Sequence, residues 1–157
     1  MAKQEDAWED LNAFRMDPEG IKECIDAATG CSVTWVNRYG RAMSVWITPA
    51  VIDGEVWVTT TSNRSKTKAW LKDPRTTVVF GVQGIGSVTI VGEVELTDDP
   101  EKRTLFLETL YARIPRAPDE AHKELWMSSM NTDGRLTGRI KVDKYITFDE
   151  RKLPQPE

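Results

Sequence analysis

The stretch Trp57-Val-Thr-Thr-Thr-Ser-Asn-Arg-Ser-Lys-Thr-Lys-Ala-Trp-Leu-Lys-Asp-Pro-Arg75 decides the reading of the fold. It opens inside a strand, Glu55–Thr61, made mostly of β-branched residues. It then turns through Ser62-Asn63-Arg64 into a short basic helix over about Ser65–Lys72, which Pro74 stops. Residues 64–75 hold five bases and one acid in a chain whose net charge is -4. The junction gathers hydroxyls, free backbone N–H groups, the positive end of a helix and cations, which are the ingredients of a phosphate site. A dianionic phosphate would accept from Thr60 and Ser65, with Lys66 as a point charge and Arg64 closing the outside. The competing reading is an exposed loop in which Ser65 caps the helix and the lysines are solvated. Spacing alone does not choose between the two.

On the N-terminal side, residues 1–30 read as a helical segment. Asp17-Pro18 is an N-cap acceptor followed by proline at the first helical position, and Ile21, Ile25 and Ala28 repeat at helical spacing until Gly30. From Ser32 the period becomes two. A first strand carries Val33 and Trp35, Asn37–Gly40 turns it, and a second strand over about Arg41–Ile52 sets Met43, Val45 and Ile47 against Ala42, Ser44 and Trp46. Asp53-Gly54 is a two-residue hairpin signal into the strand already quoted. On the C-terminal side, Thr76–Val82 and Ser87–Leu96 form a further pair, with Gly92 marking a bulge or close approach. Asp99-Pro100 opens a helix to about Tyr111, with Leu107, Leu110 and Ile114 on its buried side. Residues 113–138 read as irregular apart from a short helix near His122–Met127, and Arg139–Phe148 is the last strand. Six hairpin-connected, half-polar strands with peripheral helices imply a mainly β fold with some α, a six-stranded antiparallel barrel in one domain over residues 1–157.

Length and composition narrow the function. The 157 residues are 39% hydrophobic and 29% charged, which excludes a disordered or fibrous chain. With pI near 5.2 the chain lacks the basic face of a general nucleic-acid binder. No apolar run reaches the length of a membrane span, and the polar start carries no export signal. Cys24 and Cys31 are therefore expected as free thiols in a reducing cytoplasm. The single His122 sits among charged residues and reads as an exposed helix position. One histidine and two separated cysteines give no zinc-ligand spacing, so no metal is expected. No Gly-x-Ser-x-Gly elbow appears, and Asp98-Asp99 before Pro100 reads as a helix cap.

The quoted stretch resembles the pyridoxamine 5'-phosphate oxidase-like family of FMN-binding split β-barrels, the flavin and deazaflavin oxidoreductase superfamily. The strand ending in Thr59-Thr60, the cation at the helix start, Asp73-Pro74 before the next strand, and Val88–Glu95 running into Asp98-Asp99-Pro100 match that family in order. The resemblance implies a homodimer and an FMN cofactor. Thr59 and Thr60 fall at the strand end that contacts the ribityl-phosphate arm, and Ser65 and Lys66 match the phosphate-binding pair. Ser65 stands where the oxidase subgroup commonly has arginine, so Arg64 or Lys68 would supply that charge. Ser44, Val45, Trp46 and Ile47 fall on the strand along the flavin ring edge, Ser87 is where the opposite subunit contributes a polar group, and Trp46 and Trp126 are candidates to border the ring. The Arg-x-His substrate motif of the oxidase itself is absent. The implied activity is hydride transfer through flavin N5 to or from a small conjugated substrate, with no acid–base residue nominated. The alternatives are the deazaflavin F420, which has an anionic tail, and a non-enzymatic flavin or haem binder.

Overall fold

The computed structural model describes residues 11–113 and 119–154. The N-terminal part of the predicted helical segment, and Ile114, lie outside the described residues. Seven strands and four α-helices follow in the order α1 (Pro18–Ala27), β1 (Cys31–Val36), β2 (Ala42–Ile47), β3 (Ala50–Ile52), β4 (Glu55–Thr61), α2 (Ser65–Trp70), β5 (Arg75–Val82), β6 (Gly86–Thr97), α3 (Pro100–Ala112), α4 (Glu120–Met130) and β7 (Arg135–Asp149). The strands form one antiparallel sheet in the order β2-β1-β5-β6-β7-β4-β3, curled into a half-barrel.

Three sequence expectations need correction. The sheet has seven strands rather than six, because the predicted second strand breaks at Thr48-Pro49 into β2 and β3. Proline has no N–H for the ladder, so the chain leaves β1 there and pairs instead with β4, Ala50 opposite Trp57. The stretch read as irregular holds α4, whose N-cap Asp119 accepts from His122 N at 2.8 Å. It also holds the first four residues of β7. Finally, α2 is only six residues long, so its dipole contributes little and any anion site there rests on side chains.

Other local signals fold as read. Asp17 accepts from Gly20 N at 2.7 Å and Asp99 from Glu101 N at 2.9 Å, each ahead of a proline at the helix start. Asp53 and Gly54 take positive φ of 52° and 79°, the backbone a two-residue hairpin demands. At Gly92 the pairing of β6 with β7 shifts register, and a Cβ there would lie 2.1 Å from Lys141 O. Only glycine fits so close an approach.

The alternation of β4 fixes which side each threonine faces. Val56, Val58 and Thr60 are buried toward the barrel interior, whereas Trp57, Thr59 and Thr61 point outward. The interior is filled by Val33, Val58, Val78, Phe80, Val88, Ile90 and Ile140, with Cys24, Ile25 and Ala28 from α1 and its C-terminal end, and Trp70 from α2, packed against them. A second apolar cluster lies on the outer side. There Phe106, Leu107 and Leu110 of α3 and Trp126, Met127 and Met130 of α4 cover Ala50 and Trp57. That packing fixes α4, and hence the start of β7, beside the end of β4.

Candidate functional site

The end of β4, the turn into α2 and the start of β7 meet on the outer face. Thr61 to Trp57 of β4 pair with Arg135 to Arg139 of β7, which places Arg135 opposite Thr61. Thr67, fully buried, fastens α2 to the strand: its hydroxyl donates to Thr61 O at 2.7 Å and lies 2.8 Å from Thr60 Oγ1. Thr60 is thus turned inward and engaged by Thr67. Thr59 and Thr61 are the hydroxyls on the outer side, where Thr59 donates to Leu136 O at 2.9 Å.

Three cations reach these two threonines, and a fourth, Arg103, meets the backbone of Arg135. Lys66 Nζ reaches Thr59 O at 3.5 Å and lies 5.7 Å from the centre of the Trp70 ring. Arg64 Nε donates to Thr61 Oγ1 at 3.3 Å. Arg135 directs Nε to Met130 O and Nη1 toward Thr59 Oγ1 at 3.4 Å. Arg103, 8% exposed, donates to Asn131 Oδ1 at 2.6 Å and to backbone carbonyls, including Arg135 O at 3.5 Å. Among the described residues none of the four makes an ion pair. Burial, with Arg64 nearby, lowers the pKa of Lys66 below the usual lysine value. Burial, with Arg64 and Arg103 nearby, lowers that of Arg135 as well. Lys66 and Arg135 are half-buried cations with Arg64 close to both and no ion pair among the described residues, a setting that suits an anionic ligand.

The remaining residues named from sequence are dispersed. Ser65 and Lys68 are exposed on α2. Ser44, Val45, Trp46 and Ile47 lie on β2, an edge of the sheet. There Ser44 meets Ser32 Oγ, and Trp46, 60% exposed, lies against Gly30. Trp126 packs 5.3 Å from Tyr111 within the α3–α4 cluster. Ser87 pairs with Phe148 at the far end of β7 from Arg135, so the chain by itself does not bring it to the cations. Sequence reasoning missed Arg135 and Arg103. The signal that finds them is the β4–β7 pairing, which the assignment of residues 113–138 as irregular concealed.

No family model and no curated protein matches the sequence. Solved structures do match. A conserved hypothetical protein of Mycobacterium tuberculosis aligns over 92% of this chain and 93% of its own, with TM-score 0.80 and 21% identity. An F420 reductase aligns over 83% and 98%, with TM-score 0.63 and 17% identity. A Clostridium acetobutylicum protein related to general stress protein 26, of the pyridoxinephosphate oxidase family, aligns over 85% and 96%, with TM-score 0.61 and 14% identity. The chain therefore has the split-barrel fold of the pyridoxamine phosphate oxidase-like proteins. Its neighbours in that fold include proteins named as oxidase-family members and as a reductase.

Proposed function

We propose that the protein is an FMN-dependent oxidoreductase acting on a small conjugated substrate. The observation that carries the proposal is the set of uncompensated cations at the β4–α2 junction, which suits the phosphate of a flavin mononucleotide. A bound flavin supplies the hydride-transfer chemistry; this chain binds it, orients it and keeps water away. Lys66 and Arg64 hold the phosphate beside Thr59 and Thr61, whose hydroxyls donate to Leu136 O and Asn63 Oδ1 and so fix the strand end, and β2 of a partner chain would border the ring. No side chain of the site is assigned to proton transfer.

We further propose a homodimer. Along β2, Met43, Val45 and Trp46 stay exposed, and β7 beyond its contact with β4 exposes Val142, Tyr145 and Ile146. Two open edges with apolar residues fit a two-fold partner, which would bring the partner's β2 and Ser87 to this site. An interface of about 2,000 Å² in total would serve. Two free, buried thiols, Cys24 and Cys31, suit a reducing cytoplasm.

F420 is the second reading, favoured by Lys68 and Lys72, exposed on and just after α2, where an anionic tail would run. Titration of the purified protein with FMN and with F420, followed by absorption and by multiple-turnover reduction of a quinone or nitroaromatic acceptor, decides between them. FMN bound more tightly, with turnover, supports the proposal. Tighter F420 binding favours the second reading, and binding without turnover makes the protein a carrier.

A further inference from the structure

We infer that Arg135 is a second anion ligand of this site, gripping from β7 the phosphate that Lys66 meets from α2. The inference rests on the phosphate reading above and adds a residue from an element that the junction itself does not contain.

Arg135 has one evident local duty, donating Nε to Met130 O at the end of α4. That uses one of the five N–H donors of a guanidinium. Nη1 makes only a long contact, to Thr59 Oγ1 at 3.4 Å, and Nη2 gives one of its two N–H groups to Met130 Sδ at 3.6 Å. The planar fork therefore keeps strong donors beside Thr59, the residue whose carbonyl Lys66 also touches. Arg64, between Thr61 and α2, acts electrostatically on both Lys66 and Arg135, so the three cations share one locality. The two other strand arginines, and Arg151 just after β7, have carboxylates. Arg75 has Asp73, Arg139 has Glu55 and Glu95, and Arg151 has Asp149 and Glu23. A helix-end carbonyl needs only one donor, and a glutamine would serve it. A half-buried guanidinium with no carboxylate partner and N–H groups to spare on both Nη atoms can recognise a phosphoryl group by two parallel hydrogen bonds.

The test is calorimetric titration of the full chain with inorganic phosphate, and separately with FMN and riboflavin, in wild type, Arg135→Gln, Lys66→Gln and Arg139→Gln. Loss of a charge-assisted contact should weaken phosphate about tenfold in Arg135→Gln and in Lys66→Gln. Arg139→Gln, on the same strand and face, should leave it unchanged, and riboflavin should bind all four alike. Wild-type phosphate affinity in Arg135→Gln overturns the inference while the Lys66 assignment stands. Weakened phosphate in both variants with equal FMN and riboflavin affinities sinks the flavin proposal but upholds Arg135. A wild type that binds no phosphate overturns both. If Arg135→Gln does not fold, arginine-selective labelling of the native protein by phenylglyoxal replaces it. Saturating phosphate should then protect Arg135, and absence of protection refutes its role.

Discussion

Arg135 and Arg139 lie four residues apart on one face of one strand, yet their surroundings are opposite. Arg139 bridges Glu55 at 3.0 Å and Glu95 at 2.6 Å, beside a cleft of about 340 Å³ that also includes Lys102. The four charges there cancel. Arg135 feels the charges of Arg64 and Arg103 and makes no ion pair with a carboxylate among the described residues. The same side chain is thus a strut at one end and an unanswered charge at the other. Neutral clusters hold a sheet together, whereas a cationic one suits an anion.

The contrast can be broken by giving the Arg135 end its own carboxylate. Thr61→Glu places an acid between Arg64 and Arg135, and FMN affinity should fall on the order of a hundredfold by direct competition and like-charge repulsion of the phosphate. Riboflavin should bind as before, and fluorescence titration of both ligands checks this.

A smaller effect is expected where the cations depend on their scaffold. Thr67→Val keeps volume but removes the hydroxyl that serves Thr60 and Thr61, leaving buried polar groups unmet. Urea unfolding should show a loss of about 1–3 kcal/mol, and the loosened α2 should weaken FMN several-fold. Stability lost with FMN affinity intact would show that α2 does not position Lys66.

The alkaline limb sharpens the comparison further. Lys66 has a pKa lowered by burial below its ordinary 10.5, so between its folded value and 10.5 the unfolded chain binds more protons than the folded one. Stability of the ligand-free protein should therefore rise with pH across that window, while FMN affinity falls as Lys66 loses its charge. Lys66→Ala should remove this contribution to both trends. At the opposite end, Glu95 is held below the usual carboxylate range by its hydrogen bond to Arg139. Its stabilising effect is present above the unfolded pKa and is lost as pH falls through the folded one. The least effect is expected from freeing Arg139 itself. Glu55→Gln with Glu95→Gln should create a weak, salt-sensitive phosphate site detectable only at low ionic strength.

Much of the fold could be read from short-range signals, because caps and hairpins are local. Asp17-Pro18, Asp99-Pro100 and Asp53-Gly54 each state their geometry within two residues. The break at Pro49 was obscured because alternation continues on both sides of it, and only the change of partner strand separates β2 from β3. In the site, Lys66 and Arg64 were legible because strand, turn and helix start are contiguous. The inward turn of Thr60 follows from the parity of Val56 and Val58, a signal present in the sequence but overridden by the pattern of hydroxyls. Arg135 was not legible at all. It reaches Thr59 only through the pairing of β4 with β7, in a part of the chain that reads as irregular in sequence. Gly138 makes room there for Val94, against whose Cγ2 a Cβ would lie at 2.6 Å.

The cations around Thr59 and Thr61 are proposed to bind a phosphate. The most direct test is to measure FMN and riboflavin dissociation constants side by side, in wild type and in Lys66→Ala. FMN should bind wild type at least about tenfold tighter than riboflavin, with Lys66→Ala losing roughly 1.5–3 kcal/mol of FMN affinity and none for riboflavin. Equal affinities for the two ligands in wild type, or equal losses in the variant, would contradict it.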